Sequence, residues 1–438
     1  MRKAVWALIT ILLLLSITVS RAFADQSSEW SGVWDVIVSF DAGSSAGVMT
    51  LDATDGALTG TSQPLGENGF FPLDVNGSIE GQNARIDLLF HGDVAGSLTL
   101  SLEGDMFSGE GELYGVPVKV LATTGARSHR APMTHDLIPD SYTTQFMGNA
   151  SPILRLVPGD TVRTTTLDNE GRDSDLKWQG MPGNTLTGPF FIEGAMPGDT
   201  LVIHLIKIEI NRDSAKMYSG SLNQKAVQGG YVQVPQSDWG RVWSLDKKRG
   251  AARPKTPSDK LAKFVLPITP MIGSIGVAPP LNQSIYAGDL GFHGGNLDYN
   301  RFIEGATIYL PIWRSGAYFF LGDGHALQGD GEISGQGLET SLDVEFKVDL
   351  IKGETFRQIW SENSEYIMFS GIDNSLDSAL QMATTGLARW LKINYGLNDS
   401  EVATVLSAAV EYDIAEVVDP RPHVVAKIKK STLKMLKK

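Results

Sequence analysis

What most restricts the folds open to this chain is its punctuation. Short runs of alternating apolar and polar residues are cut repeatedly by turn-forming pairs that end in glycine. Between residues 27 and 125 the runs are Trp34–Phe40, Gly47–Leu51, Ala84–Phe90, Ser97–Leu102 and Val116–Leu121. The cuts fall at Asp55-Gly56, Asn76-Gly77, Glu80-Gly81 and Glu103-Gly104. A period of two places one set of side chains on one face of a sheet, and such pairs supply the positive φ of tight hairpins. The pattern predicts a small all-β meander or barrel over 27–125, one sheet closing on itself from about five or six units. Phrases around Leu58-Thr-Gly60, Ser78-Ile-Glu-Gly81 and Phe107-Ser-Gly109 recur within it.

Strands continue from 146 to about 370. Val157-Pro-Gly-Asp-Thr-Val162 returns almost verbatim as Met196-Pro-Gly-Asp-Thr-Leu-Val202. Two copies predict equivalent corners of a β-sandwich, each with its Asp bonding the backbone just ahead. The period changes near residue 374: Leu376, Ala379, Leu380, Ala383, Leu387, Trp390 and Leu391 recur at helical spacing. A second helix is expected after an N-cap at Asp399 or Ser400. The expected class is mainly β (α+β overall): a β-sandwich over 146–438 with a helical C-terminal part, behind the small β module. Residues 126–145, punctuated by Pro132 and Pro139, read as a linker, and 218–264 as a polar surface insertion.

Arg2 and Lys3, the apolar stretch Ala4–Val19 and Ala22-Phe23-Ala24 fit a secretory signal over residues 1–24, leaving Asp25 as the mature start. The expected location is periplasmic or extracellular, with no stable membrane insertion once the signal is removed. The 438 residues include no cysteine, which excludes a thiolate nucleophile and Cys-ligated metals. The net charge of −13 argues against a nucleic-acid partner.

The chemistry concentrates in Gly322-Asp323-Gly324-His325-Ala326-Leu327-Gln328-Gly329-Asp330-Gly331-Glu332. Asp323/His325 and Asp330/Glu332 are alternating pairs, so a hairpin would converge them, and carboxylate with imidazole suits a divalent metal. Three other segments carry usable polar groups: Asp168 in a Thr-Thr-Leu-Asp-Asn-Glu run, Glu193 at the end of an apolar strand, and Asn296 with Asp298 in His293-Gly-Gly-Asn-Leu-Asp. Ser274 in Ile272-Gly-Ser-Ile-Gly276 falls one residue short of a nucleophile elbow and reads as a packed strand.

The strings GGNLD (294–298), EGATIYLPIW (304–313), GDGHALQGDGE (322–332) and a later LET (338–340) resemble the acetamidase/formamidase family. So do SPILRLVPGDTVRTTTLDNEGRD (151–173) and TGPFFIEGAMPGDTLVIHL (187–205). The resemblance spans residues ~140–430 and leaves the N-terminal β module as an addition. It implies a duplicated β-sandwich, hydrolysis of linear carboxamides to ammonia and the acid, a divalent metal in several members, and frequent homo-oligomers. Its site residues fall on Asp168, Glu193, Asn296, Asp298, Asp323, His325 and Glu332. One departure stands out. Where the family carries a His before an aromatic-Gly-aromatic stretch, this chain has Tyr142-Thr-Thr-Gln-Phe146, and the nearest histidines are His129 and His135.

With no cysteine, the expected mechanism is a metal-activated water. The metal, Zn or Ca, would be held by His325 with two or three of Asp168, Asp298, Asp323 and Glu332. Glu193 or Glu332 would move protons. Asn296 and glycine N–H groups of 294–295 or 322–324 would serve the oxyanion. The alternative is a secreted, non-catalytic β-sandwich that binds a small ligand or Ca.

Overall fold

The computed structural model describes residues 29–40, 43–64, 72–104, 106–123, 130–217, 222–229, 231, 241–280, 283–353 and 356–437. The proposed signal peptide and His129 lie outside them. Two compact units separate near residue 127.

The first unit is a closed barrel of eight antiparallel strands running from Gly32–Phe40 to Val116–Thr123, each paired with its sequence neighbour. The first strand pairs with the last and closes the barrel. Its interior is filled by side chains that alternate inward, among them Val75, Ile86, Leu98 and Val120. Trp30 and Trp34 close on Phe107, at ring-centroid distances of 5.7 and 4.7 Å. The strand count exceeds the sequence expectation because Ala57–Pro64, Leu73–Glu80 and Met106–Leu113 are strands too. Gly77, read with Asn76 as a turn signal, lies inside a strand, where a Cβ would stand 2.2 Å from the Arg85 carbonyl oxygen of its neighbour. A Cβ on Gly60 would stand 1.9 Å from the Thr50 carbonyl oxygen of the adjacent strand.

The second unit is a β-sandwich of a six-stranded and a nine-stranded sheet, with a four-stranded and a two-stranded sheet beside them. The six-stranded sheet runs Leu154–Leu156, Leu186–Ile192, Phe319–His325, Met271–Val277, Gly294–Asn296, Leu290–Gly291. Its central strands are buried along their whole length. That is why they read as apolar runs rather than alternating ones. Phe190 and Phe319 of this sheet meet Phe346 of the other edge-on, at 5.3 and 5.4 Å.

The repeated PGDT phrase behaves as its sequence predicts. Asp160 accepts the N–H of Val157 at 2.9 Å and Asp199 that of Met196 at 2.8 Å. The strands they launch, Thr161–Thr165 and Thr200–Ile210, flank Leu342–Ile351 on its two sides. Residues 126–145, expected as a linker, instead supply an edge strand, Thr134–Asp136, parallel to Thr161–Thr165. The span 218–264 contributes Val242–Asp246 and Ala251–Pro254 to the four-stranded sheet.

Helices Leu376–Tyr395 and Asp399–Ala409 complete the unit, the first burying Ala379, Ala383, Leu387 and Leu391. The N-cap of the second is Asn398 rather than Asp399 or Ser400. Its side chain accepts the Glu401 N–H, and the Glu401 carboxylate answers the Asn398 N–H. Among the described residues, no helix is long and apolar enough to cross a membrane.

Candidate metal centre

The centre grows from the end of strand Phe319–His325. Asp323 and His325 project to one side, and the His325 Nε2 lies 3.6 Å from Asp323 Oδ1. The neighbouring strand, Met271–Val277, places Gly273 against Asp323, since Ile272 pairs with Gly324 and Ser274 with Gly322. The backbone N–H groups of Leu297 and Asp298 both donate to the Gly273 carbonyl, which brings Asp298 to the same spot. Space for both carboxylates depends on Gly273 having no side chain. A Cβ there would stand 2.5 Å from Asp298 Oδ1 and 2.9 Å from Asp323 Oδ2.

Glu339 arrives from across the chain. It forms an isolated antiparallel bridge with His325, and its Oε2 lies 3.2 Å from His325 Nε2. Glu332 joins from the loop after the strand. Two triads of potential ligand atoms therefore share His325: Asp298–Asp323–His325 and His325–Glu332–Glu339. Asp298, Asp323 and Glu332 all sit at positive φ, 39°, 54° and 44°. Such strain in non-glycine residues costs of order 1–3 kcal/mol each and collects at functional sites.

Asp298 Oδ1, Asp323 Oδ1, His325 Nε2 and Glu339 Oε2 are all buried without a hydrogen-bond partner. Unpaired buried polar atoms are costly, and four in one place are a donor set that fits a divalent cation. Two ligand atoms at tetrahedral zinc bond lengths stand about 3.3 Å apart; around His325 Nε2, Asp323 Oδ1 lies at 3.6 Å and Glu339 Oε2 at 3.2 Å, while Asp298 Oδ1 stands 3.9 Å from the other ring nitrogen.

The electrostatics point the same way. Burial, then the charges of Glu332 and Asp323, push the Asp298 carboxyl well above its ordinary value. Burial also raises Glu332 well above the carboxylate range, against the opposing pull of His325. Glu339 is pushed up to about 7, chiefly by burial. Burial alone would lower His325, but the Glu339 and Asp323 carboxylates outweigh it and hold the imidazole well above its usual value. Without a metal, protons supply the positive charge that the acids demand.

A polar frame holds the acids in place. Asn296 donates to Asp298 Oδ2 and to Asp419 Oδ2, and accepts from Ser274 Oγ and Asn184 Nδ2. Asn184 also reaches Asp323 Oδ2 at 3.1 Å. The expected oxyanion role of Asn296 meets an amide already engaged on both sides, so here it orients carboxylates. Glycines 294–295 and 322–324 lie in strands paired within the sheet. Ser274 is fully buried in its strand, as expected.

Not every expected residue arrives. Asp168 is not among the clustered ligand atoms: its Oδ2 is bonded to Arg212 at 2.7 Å, which also donates to the Glu339 carbonyl, and its Oδ1 to the N–H groups of Glu170 and Arg172. Its carboxylate closes a turn and neutralises a buried guanidinium rather than facing the cluster. Glu193 is remote from it. Leu186 pairs with Gly322, at the His325 end of that strand, and Glu193 lies seven residues further along, roughly 20 Å at the usual strand rise. Its carboxylate stands 3.7 Å from Arg155. The hairpin that would have folded the pair Asp330/Glu332 back onto Asp323/His325 does not form, since no strand follows until Leu342–Ile351. Asp330 accepts from Asn300 Nδ2 at 2.7 Å instead. His135 pairs with Asp160 at 3.0 Å, far along the chain from any acid of the cluster.

The sequence pattern of the Acetamidase/Formamidase family matches residues 149–284 and 291–431. The chain belongs to the acetamidase/formamidase family. The barrel lies outside the matched residues. The formamidase of Methylophilus methylotrophus is 25% identical over 352 residues, which are 61% of this chain and 83% of that protein. The acetamidase of Mycolicibacterium smegmatis is 30% identical over 236 residues, 42% and 57% of the two chains. Among solved structures, a predicted acetamidase/formamidase from Thermoanaerobacter tengcongensis superposes with a TM-score of 0.59 at 30% identity, covering 70% of this chain and 99% of that one. The acetamidase from Bacillus halodurans gives 0.60 at 27% identity, covering 69% and 99%. The family makes this chain an amide hydrolase acting on C–N bonds.

Proposed function

We propose that the chain hydrolyses a small linear carboxamide at the His325 cluster, with a divalent metal held by Asp298, Asp323 and His325. The observation that carries this reading is the convergence of buried, unpartnered ligand atoms from these three residues. Three protein ligands with an open position are the pattern of catalytic zinc sites. A divalent ion, when bound, supplies polarisation of the carbonyl and acidification of water.

The chain's own residues do the rest. Glu339, with its pKa raised to about 7, is matched to taking a proton near neutral pH. Glu332 holds its proton more firmly and is suited to delivering one to the leaving nitrogen. Asn296, Asn184 and Gln328 hold the acids and the imidazole in register. The burial of the cluster keeps competing water out and favours a short substrate. The sequence of residues 1–24 supports export, which N-terminal sequencing of the secreted protein would check by a start at Asp25.

The test pairs elemental analysis with ammonia release from formamide, acetamide, propionamide and butyramide. About one divalent ion per chain, with turnover lost in His325→Ala and in Glu339→Gln, is the expected result. Full turnover after exhaustive chelation would refute the metal, and turnover by His325→Ala would refute the site.

A further inference from the structure

A cavity opens beside the short hairpin formed by Leu290–Gly291 and Gly294–Asn296. It encloses about 290 Å³, near the lower end of the range for small-molecule sites. Its walls are mostly apolar, with Ile285, Leu290, Phe292, Ile359, Ile372 and Met382 around it. Three groups in that wall can meet a polar ligand: His293, which is buried, and Arg421 and Arg357, which reach solvent.

His293 is buried to 1% exposure, and neither ring nitrogen has a partner. Its ring is edge-on to Phe146 and Phe292, at 5.1 and 5.7 Å. A buried imidazole with two idle nitrogens is costly unless something in the cavity meets it. Arg421 spends only Nη1, on Asp289 and on the Leu290 carbonyl. Its other N–H groups have no bond among the described residues. Arg357 shares the lining from its exposed rim. His293 and Arg421 address the same space. A Cβ on Gly291 would lie 3.8 Å from His293 Nδ1 and 3.9 Å from Arg421 Nη1.

The two acids of the lining already have donors. Asp289 accepts from the Leu290 N–H and from Arg421, and Asp373 from the Asn374 N–H. One end of the apolar chamber therefore carries two guanidinium forks reached by solvent and a buried imidazole, with the Asp289 and Asp373 carboxylates each tied to donors through Oδ1. Guanidinium forks match carboxylates in shape as well as charge. We propose that this cavity binds a short-chain monocarboxylate, its head on Arg421, Arg357 and His293 and its hydrocarbon tail against Ile359, Ile372 and Met382. The site is distinct from the His325 cluster and does not depend on the hydrolytic reading. The Asp289 carbonyl accepts the Asn296 N–H at 3.1 Å, so the two sites share a wall.

The test is calorimetric titration of the purified full chain with sodium butyrate, with sodium phosphate as the comparison. Gly291 is a strand residue with a φ that other residues adopt and only ordinary contacts for a Cβ. Gly291→Leu therefore fills the chamber without straining the backbone. Butyrate should bind wild type, bind Arg357→Gln about tenfold more weakly, and fail to bind Gly291→Leu. Asp323→Asn, a change in the other site, should leave butyrate affinity unaltered. No butyrate binding to wild type, binding of phosphate alone, retention of binding in Gly291→Leu, or loss of it in Asp323→Asn would each overturn the proposal.

Discussion

Gln328 holds His325 by its Nδ1, at 2.8 Å from the Gln328 Oε1. The Gln328 amide nitrogen is pinned by the carbonyls of Asp298 and Ala415, at 2.6 and 3.3 Å. The amide oxygen must therefore face the imidazole, and Nδ1 must carry a hydrogen. That leaves Nε2, directed at Asp323 and Glu339, as the nitrogen open to a metal.

A residue that sets a ligand's tautomer shows itself in affinity. Gln328→Ala should lower zinc affinity roughly 10- to 100-fold, measured by competition with a chromophoric chelator, with the circular dichroism spectrum unchanged. Unaltered affinity would mean that the imidazole needs no such hold.

The room left by Gly273 is equally specific. A methyl group there would stand 2.5 Å from Asp298 Oδ1 and 2.8 Å from the Asp323 carbonyl oxygen. Gly273→Ala should cost about 1–3 kcal/mol of stability and reduce bound metal well below one per chain. Thermal denaturation and elemental analysis read the two effects separately, and a fully loaded variant would count against the geometry.

Asp168 should behave differently from the acids of the cluster. Removing its charge leaves Arg212 buried and unpaired, which typically costs 3–5 kcal/mol. Asp168→Ala should be strongly destabilised yet bind metal with wild-type stoichiometry in whatever fraction folds. The paired change Asp168→Ala with Arg212→Leu should recover part of the stability. Loss of metal from folded Asp168→Ala would return that residue to the ligand set.

Metal loading should depend on pH. Asp298 and Glu332 have folded values well above ordinary carboxyls, and Glu339 sits at about 7. A raised folded pKa means that the proton stabilises the fold below the unfolded carboxyl value, and that this stability is lost as pH rises through the folded value, about 7 for Glu339. A cation replaces those protons. The gain in Tm on adding zinc should therefore grow between pH 5 and pH 8. Taking the difference between loaded and metal-free protein at each pH removes the opposite contribution of His293 and His423, held near 3 and 4 by burial. A gain that does not vary with pH would mean that no protons are displaced.

Asp323, His325 and Glu332 were legible because they lie within ten residues of one another in a segment whose spacing carries the chemistry. Asp298 was legible beside Asn296 for the same reason. Glu339 could not be placed from spacing. It reaches His325 through one isolated bridge, although the LET string around it marked the segment. Asp419 and Glu416 come from far downstream, brought in by a bridge between Gly331 and Glu416. In sequence Asp168 looked like a ligand, because its partner Arg212 is 44 residues away and nothing local announces the pair. The β character of the chain followed from alternation and turns. The barrel's strand number did not, because Gly77 marks close strand packing with the same Asn-Gly pair that marks turns.

The pairing of Gly32–Phe40 with Val116–Thr123 leaves the N-terminal module without a free strand margin. A sheet with no margin cannot recruit another chain by adding a strand to its ladder. Anything that docks on this module does so through side chains rather than by extending the ladder, which is complete around the ring.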